Sequence, residues 1–370
     1  MATNPEVQAM PPFGEGDMLP DIILPNSRAR LVQFLTHVGN NRQVLLFCPD
    51  PRLPACRAKL KSFARRFKAL EPLAVIFGVT NTAPEENAAF LEQEPLPFSL
   101  LSDLERQVAK GLGITHNLEE HSLADGGGAF SIVVNDVNRR VLKVIHDITD
   151  PDPALIIIEF LAGLPQRQAR ALGHFAPLLY VPKVFEPELC RALINAFEHG
   201  ETQESGFIKP KGALGESERI IDHSHKARRD HSVTDQKLLA GIRRRLDRRV
   251  IPEIQKAFTR RVTGVEEFKV VRYDAEEGGH FGAHRDNVVE RHAHRRFALT
   301  LNLNTDEYEG GWLLFPEYGP DLYAPATGDA VVFSCSLLHE AAPVSKGHRY
   351  VMLAFFFDEE SSQLNERYRR

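Results

Sequence analysis

The sequence predicts two domains in tandem, an α/β sandwich followed by a unit of two packed sheets with supporting helices, for which a jelly roll fits. Three observations predict it. The chain has 370 residues, more than one ordinary hydrophobic core serves. From about residue 43, short apolar runs alternate with segments of helical spacing, the pattern of strands covered on both faces by helices. Beyond residue 260, strand-like runs follow one another between glycine-rich turns, as in two-sheet β architectures.

Val44-Leu45-Leu46-Phe47-Cys48 is continuously apolar, as expected of a strand buried on both faces. Leu60, Phe63, Phe67 and Leu70 recur at helical spacing and predict an amphipathic helix over 55–70. Leu73 to Val79 reads as a second buried strand. Phe130 to Val134 and Val141 to Ile145, joined by Asn135-Asp136-Val137-Asn138, read as a hairpin. A helix from Pro153 to Leu164 closes the unit.

Residues 165–176 are more polar and read as the interdomain connection. A helix begins at Glu186, with acids at its start and Leu189, Leu193 and Phe197 on one face. Leu238, Ile242, Leu246, Val250, Ile254 and Phe258 step by four and predict one long helix. Arg243, Arg244, Arg248 and Arg249 fall mainly on its other side and read as a solvated face. Between these helices, Gln203 to His225 shows little periodicity, and a structureless segment of that length is often a functional lid. Strands are expected at Phe268–Tyr273, Phe297–Leu303, Gly311–Phe315, Ala330–Phe333 and Arg349–Phe357.

The most informative feature is His284-Arg285-Asp286, followed by His339 and then by Arg349. On a strand, residues i and i+2 point to one face, so His284 and Asp286 can reach one metal while Arg285 points away. His339 supplies a third corner from another strand. Two imidazoles and a carboxylate leave about three coordination positions open, as in non-haem Fe(II) oxygenases. His280, His292 and His294 are a competing set, but His292-Ala293-His294 has no carboxylate close by.

The surrounding residues carry a resemblance. Tyr273-Asp274-Ala275-Glu276-Glu277-Gly278-Gly279-His280-Phe281-Gly282-Ala283-His284-Arg285-Asp286, then Gly310-Gly311-Trp312-Leu313-Leu314-Phe315-Pro316, then Gly328 to Phe333, His339 to Val344 and Gly347 to Tyr350 resemble prolyl 4-hydroxylase-type 2-oxoglutarate oxygenases in order and spacing. The resemblance extends over about residues 175–358. It implies a double-stranded β-helix with Fe(II) held by His284, Asp286 and His339, and 2-oxoglutarate and O2 as cosubstrates. It also implies a far carboxylate of 2-oxoglutarate bound by Arg349, whose planar fork suits that group, with Tyr273 donating a hydrogen bond to it. Ascorbate is a further candidate cofactor. Trp312 stands where the family often has a polar or acidic residue and is a candidate for the substrate mouth or for a buried aromatic.

In the first half, Gly16-Asp17-Met18-Leu19-Pro20-Asp21, the Cys56 region and Pro97-Phe98-Ser99-Leu100-Leu101-Ser102-Asp103 resemble a peroxiredoxin of the thioredoxin fold, over about residues 12–165. That family's PxxxTxxC pattern falls on Pro49 to Cys56, with Leu53 in place of the threonine. The arginine expected before the hairpin strand is absent, Gly126-Gly127-Gly128-Ala129 occupying that stretch, and Arg52 is a candidate substitute. Cys56 lies near a predicted helix N-terminus, where a thiol's pKa is lowered, and is the candidate redox residue. Cys48, Cys190 and Cys335 read as small apolar core residues.

The expected organisation is 1–165, a peroxiredoxin-like thioredoxin-fold domain; 166–176, a linker; and 177–370, a dioxygenase domain. The expected activity is hydroxylation of a C–H bond in a peptidyl, prolyl-like or small amino-acid-like substrate. Two alternatives stand beside it, a thiol peroxidase acting through Cys56, and a first domain that recruits substrate or dimerises. The hydrophobic share of 43% and charged share of 26% are those of a soluble globular protein. A net charge of −5 argues against a general nucleic-acid binder. No apolar stretch approaches the ~20 residues of a membrane helix. Four cysteines in so long a chain, with no secretory signal, point to the reducing cytoplasm.

Overall fold

The structure is a computed structural model that describes residues 11–34, 39, 41–114, 130–165, 171, 173–210 and 217–363. It divides into two compact units, residues 1–168 and 169–370. Of the expected linker, residues 166–170 and 172 lie outside the described residues, as does the Gly126–Ala129 stretch. Ala176, at the linker's end, is buried in a cluster with Leu313 and Phe333 of the second unit.

The first unit is built on a five-stranded sheet ordered Ser99–Ser102, Val75–Thr80, Gln43–Cys48, Ser131–Asn135, Val141–Ile145. Gln43–Cys48 pairs in parallel with Val75–Thr80 and antiparallel with Ser131–Asn135, so the late hairpin joins an otherwise parallel sheet. Successive side chains of a strand alternate between faces, and the two cores divide accordingly. Val44, Leu46 and Cys48 pack with Leu60, Phe63, Ile157 and Leu161 of the helices Pro54–Arg65 and Pro153–Ala162. Leu45 and Phe47 pack on the opposite side with Leu19, Phe34 and Leu112. The expected helix over 55–70 is interrupted at Arg66, whose Nε donates to Asp152 Oδ2 at 2.9 Å.

The second unit pairs a large sheet with a small one. The large sheet runs Leu179–Val181, Ala330–Ser334, Phe297–Asn302, His348–Phe357, Lys269–Asp274, Arg229–Ser232, Gln203–Glu204, with Gly264–Val265 also on His348–Phe357. The small one runs Lys226–Ala227, His280–His284, His339–Ala341, Leu313–Leu314, Leu322–Tyr323. Alternation again sorts the residues. Val270, Leu299, Leu301, Val332, Met352 and Phe356 meet the helices through Leu193, Phe197, Ile242, Leu246 and Ile254. Val271, Tyr273 and Val351 turn the other way, towards Phe281 and Ala341 of the small sheet. Helices on one face and a second sheet on the other give the jelly roll.

Two expectations about helices are corrected. The run from Leu238 to Phe258 is two helices, Gln236–Arg249 and Ile251–Phe258. Pro252 stands in the first turn of the second; it lacks an N–H and its ring crowds the preceding turn, so a helix restarts there instead of continuing. The basic stripe is not all solvated. Arg248 and Arg249 are buried; Arg249 Nη1 lies 2.8 Å from Glu186 Oε1 and donates to the Val184 carbonyl at 2.9 Å. Arg245 Nε joins the same carboxylate at 2.6 Å.

The expected structureless segment 203–225 is also partly ordered. Phe207–Pro210 pairs antiparallel with Ser217–Ile220, and residues 211–216 lie outside the described residues. Among the described residues, no helix is long and apolar enough to cross a membrane.

Candidate active site

His280–His284 runs antiparallel to His339–Ala341, and the register sets His284 directly against His339. The pairing is irregular between Phe281 and His284, and an irregularity of this kind re-aims a side chain. The strand ends at His284, so Asp286 does not share its pleat as the i, i+2 spacing suggested. It lies in the turn beyond, where its N–H donates to the Cys335 carbonyl at 3.0 Å. Its carboxylate still reaches both rings: Oδ1 is 3.5 Å from His284 Nε2 and Oδ2 is 3.4 Å from His339 Nε2. One ligand atom from each residue lies within 4.8 Å of the others, the only such group among the described residues.

Both imidazoles are set in one tautomer by the backbone. His284 Nδ1 lies 2.8 Å from the Gly282 carbonyl and His339 Nδ1 lies 3.0 Å from the Leu337 carbonyl. A carbonyl only accepts, so Nδ1 carries the proton and the Nε2 lone pairs face the carboxylate. Burial pushes the His339 imidazole down, towards the neutral form that binds metals.

Arg349 pairs with Tyr273 across the large sheet, which puts both side chains on the face turned to the small sheet. Arg349 is 2% exposed and Tyr273 3%, and the guanidinium lies 5.2 Å from the centre of the phenol ring. Gly311 makes room for it. This glycine has a φ of +69°, and a Cβ here would stand 2.8 Å from Arg349 Cδ and 2.8 Å from Val344 Cγ2. Arg349 Nη2 reaches Asn302 Oδ1 at 3.4 Å, while Nε is buried with no hydrogen-bond partner among the described residues. A buried guanidinium N–H without an acceptor is costly in an isolated protein.

The three acid–imidazole residues, Tyr273 and Arg349 line one cavity of about 890 Å³. Phe281, Leu313, Phe333, Val351, Leu353 and Phe355 supply apolar wall. Two cations on its wall escaped the sequence reading. Arg228 is ion-paired to Asp230, Nε to Oδ1 at 2.9 Å, and donates from Nη1 to the Tyr273 hydroxyl at 3.1 Å. That bond occupies a lone pair of the phenol and leaves its proton to be donated elsewhere. Lys226 donates to the Gly206 carbonyl at 2.9 Å and sits 4.4 Å from the Phe281 ring centre. Burial, then Arg228, pushes its ammonium well down. Both lie in a polar stretch, Lys226-Ala227-Arg228-Arg229, that reads as surface charge; nothing local marks two of them as inward.

Trp312 is half-buried, packs against Tyr308 with ring centres 5.3 Å apart, and is not among the residues that line the cavity. His280 is held by the Gly278 and Ser224 carbonyls, which leaves it no part in the cluster. His294 Nε2 lies 2.8 Å from Glu266 Oε1. Burial and the Arg295 charge take the His292 imidazole down to about 4.

Cys56 stands in the first turn of Pro54–Arg65 and is 1% exposed. Arg52 does not serve it: its guanidinium forks onto Asp50 at 2.7 Å and reaches Glu86 at 3.0 Å, at a largely exposed position. The cation placed towards Cys56 is Lys59, buried one turn along the helix, whose charge favours the thiolate. Spacing i, i+3 puts the two on one helix face, so this signal was present in the sequence. Cys190 and Cys335 are solitary core thiols that burial pushes up, Cys190 to about 12.

Comparison with known proteins follows the same division. Residues 268–357 match the model of the 2OG-Fe(II) oxygenase superfamily, and residues 16–141 match that of the AhpC/TSA family. Peroxiredoxin Bcp of Escherichia coli strain K12 is 30% identical over 106 residues, 28% of this chain and 67% of that protein. A PKHD-type hydroxylase of Saccharophagus degradans is 36% identical over 94 residues, 23% of this chain and 40% of that protein. The chain therefore spans less than half the length of that hydroxylase. The solved structure of Peroxidoxin BcpB from Mycobacterium tuberculosis is similar over 41% of this chain and 98% of its own, at 22% identity and a TM-score of 0.37.

The superfamily implies Fe(II) and 2-oxoglutarate, and the residues present fit both. Two imidazoles with Nε2 turned to a carboxylate are the donor set of a ferrous site with open positions. The Arg349 Nε that lacks an acceptor suits an incoming carboxylate. The chain joins a domain of the AhpC/TSA family, residues 16–141, to a domain of the 2OG-Fe(II) oxygenase superfamily, residues 268–357.

Proposed function

We propose that the second unit is a hydroxylase that inserts one oxygen atom into a C–H bond of a peptidyl, prolyl-like or small amino-acid-like substrate, with 2-oxoglutarate and O2 as cosubstrates. The observation that carries this reading is the convergence of His284, Asp286 and His339 within 4.8 Å in the same cavity as the buried Arg349. Ferrous iron, when bound, supplies the oxidising chemistry, in which 2-oxoglutarate is decarboxylated to succinate and CO2. Ascorbate is the candidate reductant for turnovers that miss the substrate.

The protein's own part is binding, orientation and exclusion of water. His284 and His339 present Nε2 and Asp286 a carboxylate oxygen, and the Gly282 and Leu337 carbonyls keep both rings from rotating. Arg349 takes the far carboxylate of 2-oxoglutarate through Nε and one Nη, bonds strengthened by the low dielectric. Tyr273 adds its hydroxyl proton, freed for that use by Arg228. The apolar wall keeps bulk water from the reacting centre. The Saccharophagus degradans relative is named a PKHD-type hydroxylase, which supports the reaction class.

The test is mass spectrometry of a cell lysate incubated with the purified protein, iron and 2-oxoglutarate. The reading expects a species heavier by one oxygen, formed in step with succinate and lost with Asp286→Ala. Succinate formation that survives Asp286→Ala overturns it.

A further inference from the structure

The cavity of the second unit carries a buried cation that the chemistry above leaves unused. Lys226–Ala227 is the edge strand beside His280–His284, with Lys226 opposite Phe281. Lys226 lines the cavity although it is only 6% exposed. Its Nζ lies 4.4 Å from the Phe281 ring centre, and the same ring stacks on His284 with centres 3.5 Å apart. The ammonium and a candidate metal ligand thus share one aromatic neighbour. We propose that Lys226 seats a carboxylate of the prime substrate. The second unit then acts on a free amino acid, or on a peptide that brings a free carboxylate, and not on a neutral internal residue, a narrowing that rests on the hydroxylase reading proposed above.

The pairing of charges singles this lysine out. On the cavity wall Arg228 is paired with Asp230 at 2.9 Å, Arg295 with Glu266 at 2.7 Å and Lys269 with Glu267 at 2.8 Å. Arg285 and Arg291 are exposed, where water serves them. Lys226 is different: among the described residues its ammonium donates to the Gly206 carbonyl at 2.9 Å, and no carboxylate pairs with it. An ammonium carries three N–H donors and a compact full charge. One neutral carbonyl satisfies one donor and leaves the charge uncompensated. Burial, then the Arg228 charge, disfavours the ammonium, and a carboxylate brought to Nζ opposes both. A neutral substrate group offers no such compensation.

2-Oxoglutarate does not require this cation. On the reading above its far carboxylate meets Arg349 and its oxo-acid end belongs to the metal, so a third carboxylate is what remains for Lys226. Anchoring there also sets the regiochemistry, because the carbon offered to the reacting centre is fixed by its distance along the substrate from the seated carboxylate. A buried polar group that must be met rejects analogues lacking the partner, which makes Lys226 a specificity-determining residue.

The test starts from the oxygenated species that the lysate experiment yields, whose unoxygenated parent is prepared as the acid and as the neutral methylamide. Binding of each to the whole chain, loaded with Fe(II) and 2-oxoglutarate and kept anaerobic, is measured by calorimetry, so no turnover enters the readout. Wild type should bind the acid at least about 30-fold more tightly than the amide. Lys226→Met should bind the two within about threefold of each other and keep its 2-oxoglutarate affinity within about twofold of wild type, which also establishes its fold. Lys226→Arg keeps the charge and should keep most of the preference. A parent without a free carboxylate, equal binding of acid and amide by wild type, or a preference that survives Lys226→Met overturns the proposal while the hydroxylase reading stands. Loss of 2-oxoglutarate affinity in Lys226→Met also overturns it, since the cation then serves the cosubstrate. A lysate that yields no oxygenated species removes the hydroxylase reading first and this seat with it. The wild-type comparison needs no variant to fold.

Discussion

His284 stands directly opposite His339 across an antiparallel pair, with ring centres 4.3 Å apart. The two are 55 positions apart in sequence, so it is the small sheet that assembles the cluster, and Asp286 completes it from a turn. A change that slips this pairing by one residue would send one imidazole to the opposite face.

On the proposed function, loss of any of the three groups removes a metal donor, and among the described residues no other such group stands by. His284→Ala, Asp286→Ala and His339→Ala should each lower 2-oxoglutarate turnover by more than the roughly 10–100-fold typical of outer partners of metal ligands. The check is succinate formation at saturating iron, with circular dichroism to establish the fold.

Arg349→Gln should act on the cosubstrate and spare the metal. Removing one side of a buried charge pair costs about 2–4 kcal/mol, or roughly 30- to 1000-fold in affinity. KM for 2-oxoglutarate should rise by that order while iron binding is unchanged. Equal losses in iron and 2-oxoglutarate affinity would argue against the assigned role.

Gly311→Ala should behave as a milder form of the same variant. The added Cβ meets Arg349 Cδ at 2.8 Å, at a φ of +69° that side chains avoid. A stability loss of about 1–3 kcal/mol together with a raised 2-oxoglutarate KM is expected in denaturation and steady-state kinetics.

Arg249→Met tests the buried arginine that sequence periodicity assigned to solvent. It leaves the half-exposed Glu186 with Arg245 alone and strands the Val184 carbonyl. Unfolding stability should fall by about 2–3 kcal/mol, after allowance for the exposure of Glu186. A change within about 0.5 kcal/mol, the range of a surface substitution, would contradict the burial argument.

His292 supplies a pH dependence with a definite sign. Its imidazole sits at about 4 in the folded chain against an ordinary 6.5, so the unfolded chain takes up the proton first. Its contribution to stability is complete above pH 6.5 and is lost progressively as pH falls to about 4. Unfolding curves across that window should be about 1–2 kcal/mol less steep in pH for His292→Gln, given partial screening.

The legible parts of the chain were those written in local pattern. Continuous apolar runs such as Val44 to Cys48 became buried central strands, because a strand covered on both faces admits no polar alternation. His284, Asp286, His339 and Arg349 could be named together because their spacing is a property of the chain. What could not be read is set by tertiary context. Arg249 and Lys226 look like surface charges until Glu186 and the Gly206 carbonyl, distant in sequence, come to meet them. The break at Val250 was readable from Pro252, yet the four-residue apolar step masked it. Lys59 was likewise readable from its spacing to Cys56.

The most direct measurement of the central claim is anaerobic titration of the metal-free full-length protein with Fe(II), then with 2-oxoglutarate, followed by calorimetry. Wild type should bind one ferrous ion per chain and then one 2-oxoglutarate; Asp286→Ala should bind neither, and Arg349→Gln should bind iron but 2-oxoglutarate only weakly. Undiminished iron binding by Asp286→Ala would contradict the account.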